Sequence, residues 1–146
     1  MHPLVIIFAV LTLIGITASE NFENLIADSR EAKVNIDAGR LKAYGSYVRD
    51  YRDANPSFSG TASPAAAGMP TWLSRLRLSH VINGGTAYVF MTVDDSAQAL
   101  AIASRCGQGL RCGVNASGVL RSPGIASGPS ISVPSTVPNG AAVLVF

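Results

Sequence analysis

The chain has 146 residues, 48% of them hydrophobic and 14% charged, which is the size of one domain and apolar for a soluble protein. Its 11 basic and 9 acidic residues are interspersed and leave a net charge of +2. No basic block exists that would neutralise a row of phosphates, so nucleic acid is not an expected partner.

Much of the apolar excess sits at one end. From Pro3 to Ala18 the sequence PLVIIFAVLTLIGITA carries no charge, and a membrane span needs roughly 20 apolar residues, or slightly fewer where the bilayer thins. A buried core helix is disfavoured, because the apolar residues cover every face and so short a chain has little else to wrap them. A cleaved signal peptide finds a small residue at Ala18, after Ile16 and Thr17, but its n-region is only Met1-His2 and lacks Lys or Arg. An uncleaved anchor fits best, since Ser19 and Glu20 open directly into a helix-compatible stretch. Residues 1–19 are therefore expected to be a single-pass anchor, or else a signal segment, with the remainder exported. The N-terminus would face the cytoplasm, although His2 and the α-amino group weigh little against Arg30, Lys33, Arg40 and Lys42 in the positive-inside rule.

Residues 20–55 predict a long amphipathic helix: no proline occurs, and Leu41, Tyr44, Val48 and Tyr51 recur at spacings of three and four, one face of a helix. Phe22, Leu25 and Ile26 form a separate cluster, while Gly39 and Gly45 weaken the pattern. Tyr44, Tyr47 and Tyr51 are either core aromatics or an intermolecular face, and are the candidate interaction residues. Asn55-Pro56 ends the helix, because the residue before proline is pushed out of the α region. Residues 56–71 (PSFSGTASPAAAGMP and Thr71) read as a linker.

From Trp72 the period becomes two. Trp72, Leu76, Leu78, His80 and Ile82 share one parity and Arg75, Arg77 and Ser79 the other, which predicts a strand with one apolar and one basic, wet face. Asn83-Gly84-Gly85 signals a type I′ hairpin turn, and Thr86–Val93 is a return strand apolar enough for burial on both faces. Asp94-Asp95-Ser96 offers N-cap groups for a short helix ending near Cys106, with Ala97, Leu100, Ala101 and Ala103 or Ser104 against the sheet. Gly107, Gly109 and Gly113 stop that helix. A short strand at Val119-Leu120, an edge or irregular segment Ser130–Val137, a Pro138-Asn139-Gly140 turn and a final strand AAVLVF follow. The fold class is thus α+β: an N-terminal transmembrane helix continuing into a long amphipathic helix, then a head (72–146) of antiparallel sheet with one short helix.

Candidates for chemistry are few. His2 and His80 are the two histidines, and His80 lies on the apolar parity of a strand, where a satisfied core imidazole is expected. Cys106 and Cys112 have five residues between them, whereas catalytic dithiols favour two intervening residues. In an exported chain they predict a structural disulfide, worth having in a head of this size. With His80 they make three zinc ligands of nondiagnostic spacing, one short of a structural site. Gly107-Gln108-Gly109 lacks the third glycine and the strand-to-helix setting of a dinucleotide fingerprint. Asp94-Asp95 are more simply caps than an acid–base pair. No catalytic residue, cofactor or metal is expected.

Five stretches carry a resemblance: the apolar N-terminus, YGSYVRDYRDANP (Tyr44–Pro56), Ser79-His80-Val81-Ile82, the pair Cys106 and Cys112, and the terminal VPNGAAVLVF. The chain resembles, essentially end to end, the small PilM proteins of type IV (thin) pilus systems on conjugative plasmids, which share only a name with the actin-like cytoplasmic PilM. The resemblance implies an inner-membrane component of a Gram-negative pilus assembly apparatus or basal body, with its C-terminal domain periplasmic. It implies other pilus assembly proteins as partners and transfers no catalytic residue. No Gly-Phe junction with a Glu five positions on precedes the apolar run, so prepilin processing is not expected. Two alternatives stay open: a minor pilin-like tip or priming subunit, and a secreted periplasmic enzyme or ligand-binding module using His80, Arg75, Arg77 and a carboxylate. The membrane contact would run through residues 3–18, and the long helix leaves room for self-association.

Overall fold

The computed structural model describes the backbone of residues 3–106, 111–124 and 130–146, and within these the side chains from residue 25 onward. Two compact units result, Met1–Lys33 and Val34–Phe146. The first is the N-terminal part of helix α1 (Pro3–Ala54, 52 residues), and its Leu25 and Ile26 are exposed. Among the described residues no helix is long and apolar enough to cross a membrane. The backbone of residues 3–18 is helical, but their side chains, on which the expected anchor rests, lie outside the described ones.

In the second unit, α1 buries Ala38, Leu41, Tyr44 and Val48, the face expected from spacings of three and four, with Tyr51 half-buried beside it. The helix stops before Pro56, where the Tyr51 carbonyl accepts from both the Asn55 backbone N–H (3.0 Å) and the Asn55 side-chain amide (2.9 Å), which fastens the last turn. Among the described residues six strands follow in one antiparallel sheet: β1 (Leu78–Asn83), β2 (Thr86–Met91), β3 (Arg111–Ala116), β4 (Val119–Arg121), β5 (Ile131–Ser132) and β6 (Ala142–Val145). Their spatial order is β1-β2-β6-β3-β4-β5. The last strand of the chain is thus central, bonded to β2 on one side and β3 on the other.

The α+β class holds, with four local corrections. Trp72 belongs to no strand: Thr71–Ser74 form one helical turn, α2, after Pro70, whose carbonyl accepts from the Leu73 and Ser74 N–H groups (3.0 and 3.2 Å), and Trp72 is 59% exposed. The hairpin turn is centred on Gly84 and Gly85, because Asn83 pairs with Thr86. Both glycines have positive φ (55° and 75°), as a type I′ turn requires. Helix α3 (Ser96–Ser104), capped by Asp95, buries Ala99, Ile102 and Ala103 and leaves Leu100 exposed, so its contact face is rotated from the expected one. The stretch 56–71 is no free linker: Ala62, Ala67 and Met69 are buried, and Gly60 bridges to Ile82 on β1.

Because strand side chains alternate, the sheet supports a core on each face. One contains α1, α3 and the 56–71 segment with Leu78, Ile82, Val89, Cys112, Ala142 and Leu144. The other joins Phe90, Val143 and Val145 with Leu120, Val133, Val137 and Ala141. Strand β6 is therefore buried at all four positions, which explains why its sequence shows no polar alternation. The buried Asn115 organises the turns beyond it. Its amide nitrogen donates to the carbonyls of Val137 (2.9 Å) and Pro138 (3.2 Å), and its amide oxygen accepts from Gly118 N–H (2.9 Å).

The two helical glycines of the second unit separate by environment. A methyl group on Gly39 meets nothing within 4 Å, whereas one on Gly45 would lie 2.8 Å from the Phe146 ring and 2.9 Å from Leu144 Cδ2. Gly39→Ala is expected to stabilise by about 0.5–1 kcal/mol through helix propensity alone. Gly45→Ala gains the same term but overpacks a fully buried leucine, for a net loss of about 1–2 kcal/mol. Opposite shifts of the thermal midpoint would be the readout.

Candidate functional site

Among the described residues the polar group buried most deeply is the His80 imidazole, 2% exposed. Strand β1 points it inward with Leu78 and Ile82, α1 supplies Tyr44, and the 56–71 segment supplies the backbone of Ala62. Ala62 N–H donates to Nε2 at 3.1 Å. Since Nε2 accepts, the ring hydrogen of the neutral imidazole sits on Nδ1 and donates to Tyr44 Oη at 2.9 Å. Burial pushes the His80 pKa below its ordinary value and the Tyr44 phenol above its own, as desolvation of a charged form must. With both nitrogens engaged, this buried imidazole holds three segments together and has no lone pair free to act as a base.

The candidate interaction tyrosines divide. Tyr44 is 4% exposed and bonded to His80, so it is withdrawn from any outer surface. Tyr47 and Tyr51 are half-buried against the same core, Tyr51 edge-on to Phe58 at 5.2 Å between ring centres. His80, Arg75, Arg77 and a carboxylate are not gathered into a pocket: Arg77 meets Asp94 at the exposed surface, 3.4 Å apart, while His80 is inside. Asp95 accepts from Ala97 N–H at 2.9 Å, a helix cap. Among the described residues no group of three or more His, Cys, Asp or Glu could hold a metal ion.

Cys106 and Cys112 form a disulfide, with both residues buried. It links the end of α3 to β3, so the helix is fixed to the sheet covalently as well as by Ile102. The closed loop is short, with a sequence separation of 6. Replacing both cysteines by alanine is therefore expected to cost only about 2 kcal/mol in the chain-entropy account. Comparing denaturant midpoints of the native chain with and without reductant would check this value.

Sequence reasoning found the core imidazole and the disulfide but missed the pairing of His80 with Tyr44, 36 residues away. It also missed Asp37, which is buried between Arg40 and Gln98, with Oδ1 3.3 Å from Arg40 and Oδ2 accepting from Gln98 at 3.4 Å. Asp37 sits among other charged positions (Arg30, Glu31, Lys33, Arg40, Lys42), so nothing local set it apart.

These features define a small α+β domain in which a helix backs an antiparallel sheet, and the core imidazole and the disulfide tie elements together. The PilM family model matches residues 6–145, and the chain belongs to this family, distinct from the actin-like proteins of the same name. Its fold is similar to that of a crystal structure described as PilM from Escherichia coli B7A, with a TM-score of 0.56, 19% identity, and 79% of this chain and 92% of the other covered. A PilM protein structure from Pseudomonas aeruginosa 2192 is 30% identical over 78% of this chain and 93% of the other, with a TM-score of 0.47. No curated protein matches the chain.

Proposed function

We propose that the chain is a noncatalytic, membrane-anchored component of a type IV (thin) pilus assembly apparatus or basal body, acting through protein–protein contacts. Membership of the PilM family over residues 6–145 carries the pilus assignment and implies association with other pilus assembly proteins. The anchor rests on the uncharged run Pro3–Ala18, which would hold the protein in a bacterial inner membrane as a single pass with its C-terminal domain in the periplasm. The noncatalytic reading is supported by a buried His80 whose two nitrogens are both bonded.

N-terminal sequencing of the membrane-bound form tests the anchor. Retention of residues 1–18 is expected, and their loss would replace the anchor with a signal peptide. For the partner contact, photocrosslinkers at Tyr47 and Tyr51, which are half-buried, should capture other assembly proteins in cells carrying the whole apparatus. Absence of any adduct would remove this helix face as an interface. A second reading, a minor pilin-like tip or priming subunit, draws on α1 itself, which carries the apolar run into the same 52-residue helix that packs on the sheet. Recovery in sheared pili instead of inner membranes would select it.

A further inference from the structure

We propose that residues 60–69 form a strap that the neutral His80 side chain latches onto the open edge of the sheet, and that acid releases. Strand β1 lies at the sheet edge, where unpaired backbone groups need a partner. The strap supplies it. Gly60 and Ile82 exchange N–H···O bonds of 2.8 Å in both directions, Ser59 Oγ donates to the Ile82 carbonyl at 3.2 Å, and Thr61 Oγ1 donates to the His80 carbonyl at 3.0 Å. The Ala62 N–H then turns inward to His80 Nε2 at 3.1 Å. Beyond it Ala67 and Met69 are buried, and a turn held by Ala67 N–H to the Ser63 carbonyl (3.0 Å) and Met69 N–H to the Pro64 carbonyl (2.9 Å) closes the segment.

Only one of these bonds depends on protonation. A proton on Nε2 would set an N–H against the Ala62 N–H, turning an attraction into a repulsion and leaving a buried donor without an acceptor, which is costly. The Tyr44 hydroxyl cannot compensate, because Nδ1 already carries a hydrogen toward it. The facing groups are Tyr44 from α1, Thr61 and Ala62 from the strap, and Val89, its register partner on β2. The ion pairs described at Asp37, Asp50, Asp53 and Asp94 all go to arginines, and burial is what lowers the His80 pKa. The strap also has joints at both ends: Gly60 (φ 117°) and Gly68 (φ 66°) adopt backbone conformations favouring glycine, with open space where a Cβ would stand.

The sign follows from linkage. In the open strap His80 regains an ordinary pKa near 6.5, while in the closed strap burial holds it lower. Closure is therefore favoured above about pH 6.5 and weakens as pH falls toward the closed-state value, with the opening constant rising up to about tenfold per pH unit.

Amide exchange of the full chain in detergent, followed from pH 7.5 to 5 and expressed as protection factors, tests this directly. The Ala62 and Ile82 amides should lose protection up to about tenfold per unit below pH 6.5, while those of Asn115 and Phe146, bonded within the sheet to Ala141 and Ala87, keep theirs. His80→Gln, which retains an acceptor but cannot titrate, should flatten the response. The imidazole signal of His80 in the native protein gives a check independent of any variant: it should titrate below 6.5 with strap opening tracking it. A strap indifferent to pH, a loss of protection common to all amides, or a His80 titration uncoupled from opening would each overturn the latch.

Discussion

Gly113→Ala is expected to destabilise the protein by about 3 kcal/mol, the upper end of the overpacking range, although it adds a single methyl group. Gly113 sits in β3, where a Cβ would lie 2.5 Å from the Arg121 carbonyl oxygen, 2.8 Å from its carbon and 2.9 Å from Leu120 Cγ. The nearest two atoms are backbone. A side chain can rotate away from such a contact, but Arg121 is held by its register with Val114, so relief requires separating β4 from β3. Strand β5 is bonded only to β4 among the described strands, and its pairing should loosen with it. Urea unfolding would show a lower midpoint, and amide exchange should localise the loss to residues 114–121. A cost under about 0.5 kcal/mol, typical of surface changes, would mean that the two strands do not approach as closely as described.

The same glycine explains why β3 was not legible. Its sequence, RCGVNA, has one β-branched residue and a glycine in the middle, a composition that local propensity assigns to a loop. The glycine is there because β4 crosses close by, a reason that exists only in three dimensions. The β1–β2 hairpin and β6 were legible for the opposite reason: alternation of Leu78, His80 and Ile82, adjacent turn glycines, and an unbroken apolar terminus each report a local requirement. The strap shows a further limit. Ala62 and Ala67 are buried within a stretch of Ser, Gly, Ala and Pro, and small residues suit a close-packed edge cover as well as a solvated linker. Trp72 misled because its parity matched the strand that follows, whereas Pro70 imposes a helical turn. For α3, the cap at Asp95 was legible but the contact face was not, since its phase is set by where the sheet and the Cys106–Cys112 bond hold the helix.

Leu41→Ala should have a comparable effect on stability by the opposite route, cavity instead of clash. Leu41 is fully buried in the core that joins α1 to Leu144, Ile102 and Val89, and truncating such a leucine costs about 2–5 kcal/mol depending on how far the site collapses. The neighbours that would have to fill the space are constrained: Leu144 lies in the central strand, and Ile102 precedes a disulfide-bonded cysteine by four residues. Little relaxation is available, which places the cost in the upper half of the range. Ile36→Ala on the same helix, with Ile36 53% exposed, should change stability by less than about 0.5 kcal/mol and serves as the control. The pair also separates folding from location in the proposed role. If residues 3–18 anchor the chain, Leu41→Ala should remain in the membrane fraction while its C-terminal domain becomes protease-sensitive and pilus assembly fails. Loss of the variant from the membrane fraction without proteolysis would instead mean that the folded domain, and not the apolar run, holds the protein there.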